Sequence, residues 1–149
     1  MAFQALHRTA RRTLHVPAPV ARVFPLLCPV REREWLDGWE ADVLHSESGL
    51  AELGCVFVGR AGPTVGTYLI TRYEPQRLVE FAVHYGPVVE HMSIRVELAG
   101  DGGTDLHWSK TFTSLSPEGN AWIEARVPAA IEARLADLER MLVRFVQRG

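Results

Sequence analysis

Apolar side chains recur at every second position over the central part of the chain, as at Trp39, Ala41 and Val43, which alternate with Glu40 and Asp42. This period of two is typical of half-buried strands. Turn residues separate the strand-like segments, and such short connections make sequential strands antiparallel neighbours. We therefore predict a meander of about six strands, which an amino-terminal strand joins as the seventh. The predicted strands are residues 8–16, a segment that begins at 39, and residues 55–58, 65–73, 78–85, 88–99 and 104–113.

Two short helical segments are expected between the first two strands. Pro19 suits the first turn of a helix that extends to Leu27, although Pro25 lowers its regularity. Residues 31–36 can form a second brief helical turn before the turn at residues 37–38. The connection is therefore predicted to contain two helices in little more than twenty residues.

The carboxy-terminal part of the chain has a helical pattern that extends to residue 148. Ser116 provides a capping hydroxyl, and Pro117 is suited to the first helical position. Pro128 should kink the helix or divide it, because proline removes a backbone donor and crowds the preceding turn. The apolar stripe of this helix consists of Ile131, Leu135, Leu138, Leu142 and Phe145.

A sheet of seven strands twists and curves, and its apolar face has to be covered. An uninterrupted helix of about 30 residues would be about 45 Å long at 1.5 Å per residue. One helix does not fill a curved sheet, so the remaining volume is either plugged by large side chains or left as a pocket. Such pockets are mostly apolar and contain a few polar groups.

This order of elements resembles the helix-grip fold of the START-like or SRPBCC superfamily, which includes birch-pollen allergens, lipid-transfer domains and polyketide cyclases. Residues 16–27, 73–81 and 114–120 carry the resemblance, which extends over residues 8–148. It implies an α+β fold in which a seven-stranded antiparallel sheet curves around a long carboxy-terminal helix, in a single domain over residues 1–149. It also implies a hydrophobic cavity, but it does not determine whether the protein is an enzyme.

Strand parity identifies the side chains that should face this cavity. In the sixth predicted strand, Glu90 has the same parity as the apolar positions Met92 and Ile94. In the seventh, Lys110 shares the inner face with Trp108. A hairpin that turns at residues 100–103 pairs residue 92 with residue 110, so Glu90 should lie diagonally across from the only lysine of the chain.

An inward acid and an inward lysine are the sharpest chemical signal in the sequence. Glu90 and Lys110 are therefore the candidate catalytic residues, as a pair that orients a polar ligand group or transfers a proton. The favoured alternative is a structural salt bridge at the mouth of the sheet. The candidate ligand-binding residues are Trp39, Tyr73, Phe81, Tyr85, Glu90, Met92, Ile94, Trp108, Lys110, Phe112, Ile131 and Leu135.

Several aromatic side chains allow two interpretations. We favour core packing for Phe24 and Phe145, and also for Phe81, although it stays among the candidate ligand-binding residues. Tyr73 and Tyr85 lie near strand ends, where a pocket and the surface are equally expected. Trp122 is either a mouth residue or a plain surface contact.

Composition and charge narrow the function classes. The 149 residues are 47% hydrophobic and 23% charged, which is ordinary for one globular domain. The net charge of -2 argues against a general nucleic-acid binder, although the first 31 residues contain five arginines and no acid. The longest apolar run, residues 23–30, is too short to span a membrane. We therefore expect a soluble, cytoplasmic protein with no nucleic-acid partner and no integral membrane association.

No metal and no cofactor are expected. Cys28 and Cys55 lack metal or redox spacing and are interpreted as buried small hydrophobes. The six histidines lack metal-ligand spacing, and His84, His91 and His107 share the face opposite the expected cavity. The sequence also lacks the motifs of hydrolases and dinucleotide-binding proteins.

Three functions remain open, and the first is favoured. The protein binds or transports a hydrophobic small molecule of the lipid or polyketide type, in a cavity between the sheet and the last helix. Alternatively, it is a cyclase or aromatase that uses acid and base groups in that cavity. A third hypothesis is a protein-interaction module of the chaperone-ATPase-activator type, for which a filled cavity would be evidence. Formation of a homodimer stays open.

Overall fold

Seven antiparallel strands form one sheet in the computed structural model, which describes residues 2–148. The strands are β1 (His7–Val16), β2 (Trp39–His45), β3 (Val56–Ala61), β4 (Thr64–Glu74), β5 (Leu78–Tyr85), β6 (Val88–Leu98) and β7 (Thr104–Ser114). Their order in the sheet is β1-β7-β6-β5-β4-β3-β2. The predicted meander with the first strand as its seventh member is therefore confirmed.

The helices lie in the two regions that the sequence predicts. Helix α1 (Val20–Val23) and two 3₁₀ helices, Phe24–Leu27 and Arg31–Glu34, occupy the connection between β1 and β2. Helices α2 (Pro117–Arg126) and α3 (Ala129–Gln147) end the described chain. No helix within residues 2–148 has the length and apolar character that a membrane crossing requires.

Pro128 divides the carboxy-terminal helix, because its ring cannot donate the backbone hydrogen bond that would join the two halves. The helix that covers the sheet therefore has 19 residues. At 1.5 Å per residue it is about 28 Å long, not the 45 Å of an uninterrupted helix. At the start of α2, the Ser116 hydroxyl accepts a hydrogen bond from the Gly119 amide at 3.3 Å, as expected for a capping residue.

Helix α3 packs along β1, and its stripe is buried only in part. Leu135, Leu138 and Leu142 are in the core, whereas Ile131 and Phe145 are half-buried. Phe145 packs against the core as expected, although it stays half-buried. Phe24 and Phe81 are buried as expected, and both cysteines are buried and free.

Charged side chains also attach β1 to α3. The Arg12 guanidinium lies 2.7 Å from Glu139 Oε1. The other oxygen of Glu139 accepts a hydrogen bond from the His15 amide at 2.9 Å. One arginine of the acid-free amino-terminal segment is thus paired with a carboxylate of the last helix.

Two tryptophan side chains hold the β1–β2 connection. The Trp35 indole donates to the Leu26 carbonyl at 2.8 Å, and the Trp39 indole donates to the Pro29 carbonyl at 2.9 Å. A segment without regular ladder bonds depends on such contacts for its position. The 3₁₀ helix Arg31–Glu34 is thereby fixed against the sheet.

Paired glycines leave room for aromatic rings on the inner face of the sheet. Gly59 of β3 pairs with Gly66 of β4. A Cβ atom at Gly66 would lie 2.7 Å from the ring of Tyr85, and a Cβ atom at Gly59 would lie 2.3 Å from the ring of Trp39. Both approaches are too close for a methyl group, so the two glycines determine where these rings can lie.

We expect Gly66→Ala to lower the free energy of unfolding by about 1–3 kcal/mol, because the new methyl group displaces the Tyr85 ring. Urea denaturation measures this loss. The matched control is Gly100→Ala, where no atom lies within 4 Å of the added Cβ. The control should leave stability unchanged or raise it slightly, since alanine restricts the unfolded chain. Equal losses in both variants would contradict the steric explanation.

Candidate functional site

A cavity of about 620 Å³ lies between the inner face of the sheet, the β1–β2 connection and the last two helices. This volume is in the range of small-molecule sites, and most of the wall is aromatic or aliphatic. Its lining residues on the sheet are Trp39, Phe57, Ala61, Gly62, Thr64, Tyr68, Phe81, Tyr85, Met92, Ile94, Trp108, Lys110 and Phe112. The connection and the helices contribute Glu32, Trp35, Leu36, Asp37, Gly38, Trp122, Arg126, Ala130, Ile131, Arg134 and Leu138.

Most of the candidate ligand-binding residues lie on this wall. They are Trp39, Phe81, Tyr85, Met92, Ile94, Trp108, Lys110, Phe112 and Ile131. Trp122 also lies on the wall, where its ring packs against Phe112 with centroids 5.3 Å apart. Of the two interpretations of Trp122, the mouth position is the observed one.

Three candidate residues lie outside the wall, and their expected placement is corrected. The half-buried Tyr73 ring packs against the core residue Phe24, with ring centroids 5.6 Å apart, and does not line the cavity. Leu135 is fully buried in that same core. Glu90 points inward as expected, but it is fully buried and does not line the cavity. It contacts Tyr85 and Lys110, which do.

Glu90 is the centre of a buried polar network. The Tyr85 hydroxyl donates a hydrogen bond to Glu90 Oε1 at 2.5 Å, and Lys110 Nζ lies 3.7 Å from Glu90 Oε2. The Tyr68 hydroxyl lies 3.4 Å from that of Tyr85. Met92 pairs with Lys110, so the register that the sequence predicts is confirmed. The network brings two phenols, a carboxylate and an ammonium to one part of the interior.

Burial keeps both phenols of this network neutral. Desolvation raises the pKa of Tyr85 well above its ordinary value, and the negative charge of Glu90 raises it further. Desolvation also raises the pKa of Tyr68, although its hydrogen bond with Tyr85 opposes the shift. At neutral pH the two hydroxyls therefore act as hydrogen-bond donors and acceptors and not as phenolate bases.

Glu32 is a cavity residue that the sequence analysis did not identify. It lies on the 3₁₀ helix Arg31–Glu34 and lines the cavity. Desolvation raises the pKa of its carboxyl well above the ordinary value of 4.5, and the nearby charge of Lys110 opposes the shift. The sequence did contain one indication that Glu32 faces inward. Trp35 and Leu36 follow it at three and four residues, and both are buried. Tyr68 was also missed, although it shares strand parity with buried Ile70.

Two buried side-chain atoms within residues 2–148 have no hydrogen-bond partner. They are Glu90 Oε2 and Trp108 Nε1. One is an acceptor and the other a donor, and buried polar atoms without partners are rare in folded proteins. Glu90 Oε2 still has the charge of Lys110 nearby, at 3.7 Å.

The histidines lie away from the cavity wall. His84 and His91 are exposed, and His107 is bonded on the outer face to Thr13 and Glu97. Within residues 2–148, no group of three or more His, Cys, Asp or Glu side chains is arranged to hold a metal ion. Apart from the tryptophans, the polar and charged side chains of the cavity wall are Glu32, Asp37, Thr64, Tyr68, Tyr85, Lys110, Arg126 and Arg134.

Comparisons with known proteins agree with this architecture. The family model described as polyketide cyclase / dehydrase and lipid transport matches residues 7–143. No curated protein matches the chain.

Solved structures with the same fold include Ara h 8.0201, which has 14% identity and a TM-score of 0.70 over 97% of this chain and 100% of that chain. Truncated norcoclaurine synthase from Thalictrum flavum has 16% identity and a TM-score of 0.67 over 96% and 97% of the two chains. DynU16, from the dynemicin biosynthetic locus, has 19% identity and a TM-score of 0.67 over 93% of this chain and 47% of that one. The chain thus spans about half the length of DynU16. At these identities the likeness shows the helix-grip fold alone.

We expect Tyr85→Phe to lower the free energy of unfolding by about 1–3 kcal/mol, because Glu90 then loses the hydroxyl that donates to its buried carboxylate. Chemical denaturation at neutral pH measures the loss. Tyr73→Phe is the matched control, since no hydrogen bond of the Tyr73 hydroxyl is observed within residues 2–148. Its effect should be small, and an equal loss in the control would refute the special role of the Tyr85 hydroxyl.

We expect stability to depend on pH through Glu32. A carboxyl whose pKa is higher in the folded state binds more protons there, so its contribution is present at low pH and is lost as the pH rises above about 4.5. The free energy of unfolding should therefore fall with pH relative to Glu32→Gln, as measured by urea denaturation between pH 4.5 and 8. Glu34→Gln, on the exposed side of the same 3₁₀ helix, is the control. Its free energy of unfolding should change with pH as that of the unmodified protein does.

Proposed function

The chain belongs to the polyketide cyclase / dehydrase and lipid transport family, and we propose that it binds a hydrophobic small molecule in the cavity beneath α3. The observation that carries the proposal is the cavity of about 620 Å³, whose wall is mostly apolar and includes Tyr85 and Lys110. The proposed ligand has an apolar body that contacts the aromatic wall and a polar group that meets these two side chains.

The aromatic wall supplies the main binding energy in this proposal. Phe57, Tyr68 and Phe81 are in mutual contact, with ring centroids 4.6 to 6.4 Å apart. The half-buried residues Trp39, Tyr68 and Ile131 present the apolar surface that a ligand would remove from water, and the buried residues Phe57, Phe81 and Ile94 pack behind it. Burial of such surface contributes about 25 cal/mol per Å², so a ligand of ordinary size needs few polar contacts to bind.

The open interior also separates this proposal from a protein-interaction module. A module that uses only its outer surface gains nothing from an unfilled core, because empty volume lowers stability. This chain instead leaves its volume unfilled beside polar groups such as Glu32 and Lys110. Ligand binding accounts for both features.

A second candidate function is general acid and base catalysis on the bound ligand. The network of Tyr85, Glu90 and Lys110 supports it, together with Glu32, whose raised pKa suits a carboxyl that donates a proton. In this case a poly-ketone substrate should be turned over, and Glu90→Gln should abolish turnover while the variant stays folded. Unchanged ligand affinity and turnover in Glu90→Gln would refute this candidate.

Native mass spectrometry of the purified protein tests the binding proposal directly. We expect an adduct of a few hundred daltons that is released on denaturation and is extracted by organic solvent. Its absence, together with failure to bind the neutral fluorescent probe 1-aminoanthracene, would contradict the proposal.

We expect Ala130→Trp to weaken binding of 1-aminoanthracene about tenfold, equivalent to about 1.4 kcal/mol, because the indole narrows the cavity. The matched control is Ala133→Trp, an exposed position on the same helix that does not line the cavity. Fluorescence titration gives both affinities. A control variant that binds as weakly as Ala130→Trp would show that the probe binds elsewhere.

A further inference from the structure

Arg134 is the one half-buried arginine of residues 2–148 that has no acceptor within the chain. It lies on α3 and lines the cavity, yet no carboxylate or carbonyl oxygen accepts a hydrogen bond from it. The other two half-buried arginines, Arg31 and Arg60, are each paired with a carboxylate. Arginines without an acceptor elsewhere in the described chain are exposed, as at Arg144. A partly desolvated guanidinium gains from a charged acceptor, and here the chain supplies none.

The position of Arg134 on α3 makes its charge available to a bound molecule. Ile131 and Leu138, one turn before it and one turn after it, also line the cavity. Residues three and four apart share a face of a helix, so Arg134 lies on the face that α3 turns toward the cavity. The apolar stem of the side chain can follow this face. Because no bond to the described chain fixes the guanidinium, it can meet a ligand group at the cavity mouth.

A second arginine lines the same cavity, at the end of α2. The Arg126 guanidinium lies 4.8 Å from the centre of the Trp122 ring, and its Nη1 donates to the Trp122 carbonyl at 3.3 Å. This single bond leaves most of its donors free. Among the described residues, neither Arg126 nor Arg134 forms an ion pair, although Glu32 and Asp37 also line the cavity. The helices therefore present positive charge that the chain itself does not neutralise.

The third cation of the wall is in a different state. Lys110 Nζ lies 3.7 Å from Glu90 Oε2, and its charge also acts on Glu32. The charge of the lysine is thus already offset inside the protein. A second carboxylate beside Lys110 would be repelled by Glu90, whereas one beside Arg134 would meet a cation without a counter-charge.

We propose that the ligand is a carboxylic acid whose carboxylate is bound by Arg134 at the helix side of the cavity, while its apolar body lies against the aromatic wall. This inference rests on the proposed ligand-binding function and adds an acidic group to the ligand. The planar guanidinium matches the two oxygens of a carboxylate and stays charged at every physiological pH. Arg126 adds to the positive potential at the same mouth.

The probes 2-naphthoate and 2-naphthalenemethanol test the proposal, because they are flat molecules of nearly equal size and only the first is charged. Displacement of 1-aminoanthracene at neutral pH gives their affinities for the unmodified protein and for Arg134→Gln. We expect the ratio of naphthoate to naphthalenemethanol affinity to fall about three- to tenfold in Arg134→Gln, the effect of one charged contact at a half-exposed site. An unchanged affinity for naphthalenemethanol shows that the cavity of the variant is intact.

Two further variants separate a direct contact from a change of net charge. Arg144→Gln removes the same charge from an exposed position of α3 that does not line the cavity, and it should leave the ratio unchanged. Arg134→Lys keeps the charge and should lower the ratio less than Arg134→Gln does. Raising the ionic strength from about 0.01 M to about 1 M should lower the ratio more in the unmodified protein than in Arg134→Gln, because salt screens the contact.

The outcomes separate this inference from the proposed function. If both probes bind and their affinity ratio is the same in Arg134→Gln, ligand binding stands and the role of Arg134 is wrong. The same conclusion follows if Arg144→Gln lowers the ratio as much. If neither probe nor 1-aminoanthracene binds the unmodified protein, the ligand-binding function fails and the preference for an acid fails with it.

Discussion

A curved sheet of seven strands encloses more volume than a helix of 19 residues can fill. Pro128 contributes to this mismatch, because it separates α3 from α2, which packs against Val88 and Phe112 at one end of the sheet. The β1–β2 connection covers part of the opening, and its position depends on the indole bonds of Trp35 and Trp39. The volume that neither element fills is the cavity. The size of the cavity therefore depends on where the carboxy-terminal helix is interrupted and on how the β1–β2 connection is attached.

Lys110 is the cation closest to the inward carboxyls of the structure. Lys110, the only lysine of the chain, lies near two carboxyls. Its amino group is 3.7 Å from Glu90, and its charge only partly offsets the desolvation of Glu32. Arg126 and Arg134 also line the cavity, but Lys110 is the cation whose charge opposes the shift at Glu32, and desolvation still raises the pKa of this half-buried carboxyl. The Tyr85 hydroxyl compensates Glu90 without adding a charge.

Periodicity and turn residues were enough to predict the six-strand meander, a kink or division at Pro128 and the pairing of Met92 with Lys110, but not the place of β1 beside β7. It could not separate Tyr73 from Tyr85, because alternation identifies the face of a strand and not the depth along it. Tyr85 lines the cavity, whereas the half-buried Tyr73 packs against the core beside Phe24. The sequence analysis missed Glu32 for a different reason. It lies in a 3₁₀ segment whose position depends on tertiary contacts, and sequence pattern says little about these.

The cavity also concentrates the energetic costs of the fold. Trp108 Nε1 and Glu90 Oε2 lack hydrogen-bond partners, while the indoles of Trp35 and Trp39, which hold the connection, are satisfied. Unsatisfied polar atoms spread at random through a core would only lower stability. Here one belongs to a residue of the cavity wall, and the other lies 3.7 Å from Lys110 of that wall. Both atoms lie on the paired strands β6 and β7, so the energetic cost of these unpartnered groups falls on the part of the sheet that carries the network of Tyr85, Glu90 and Lys110.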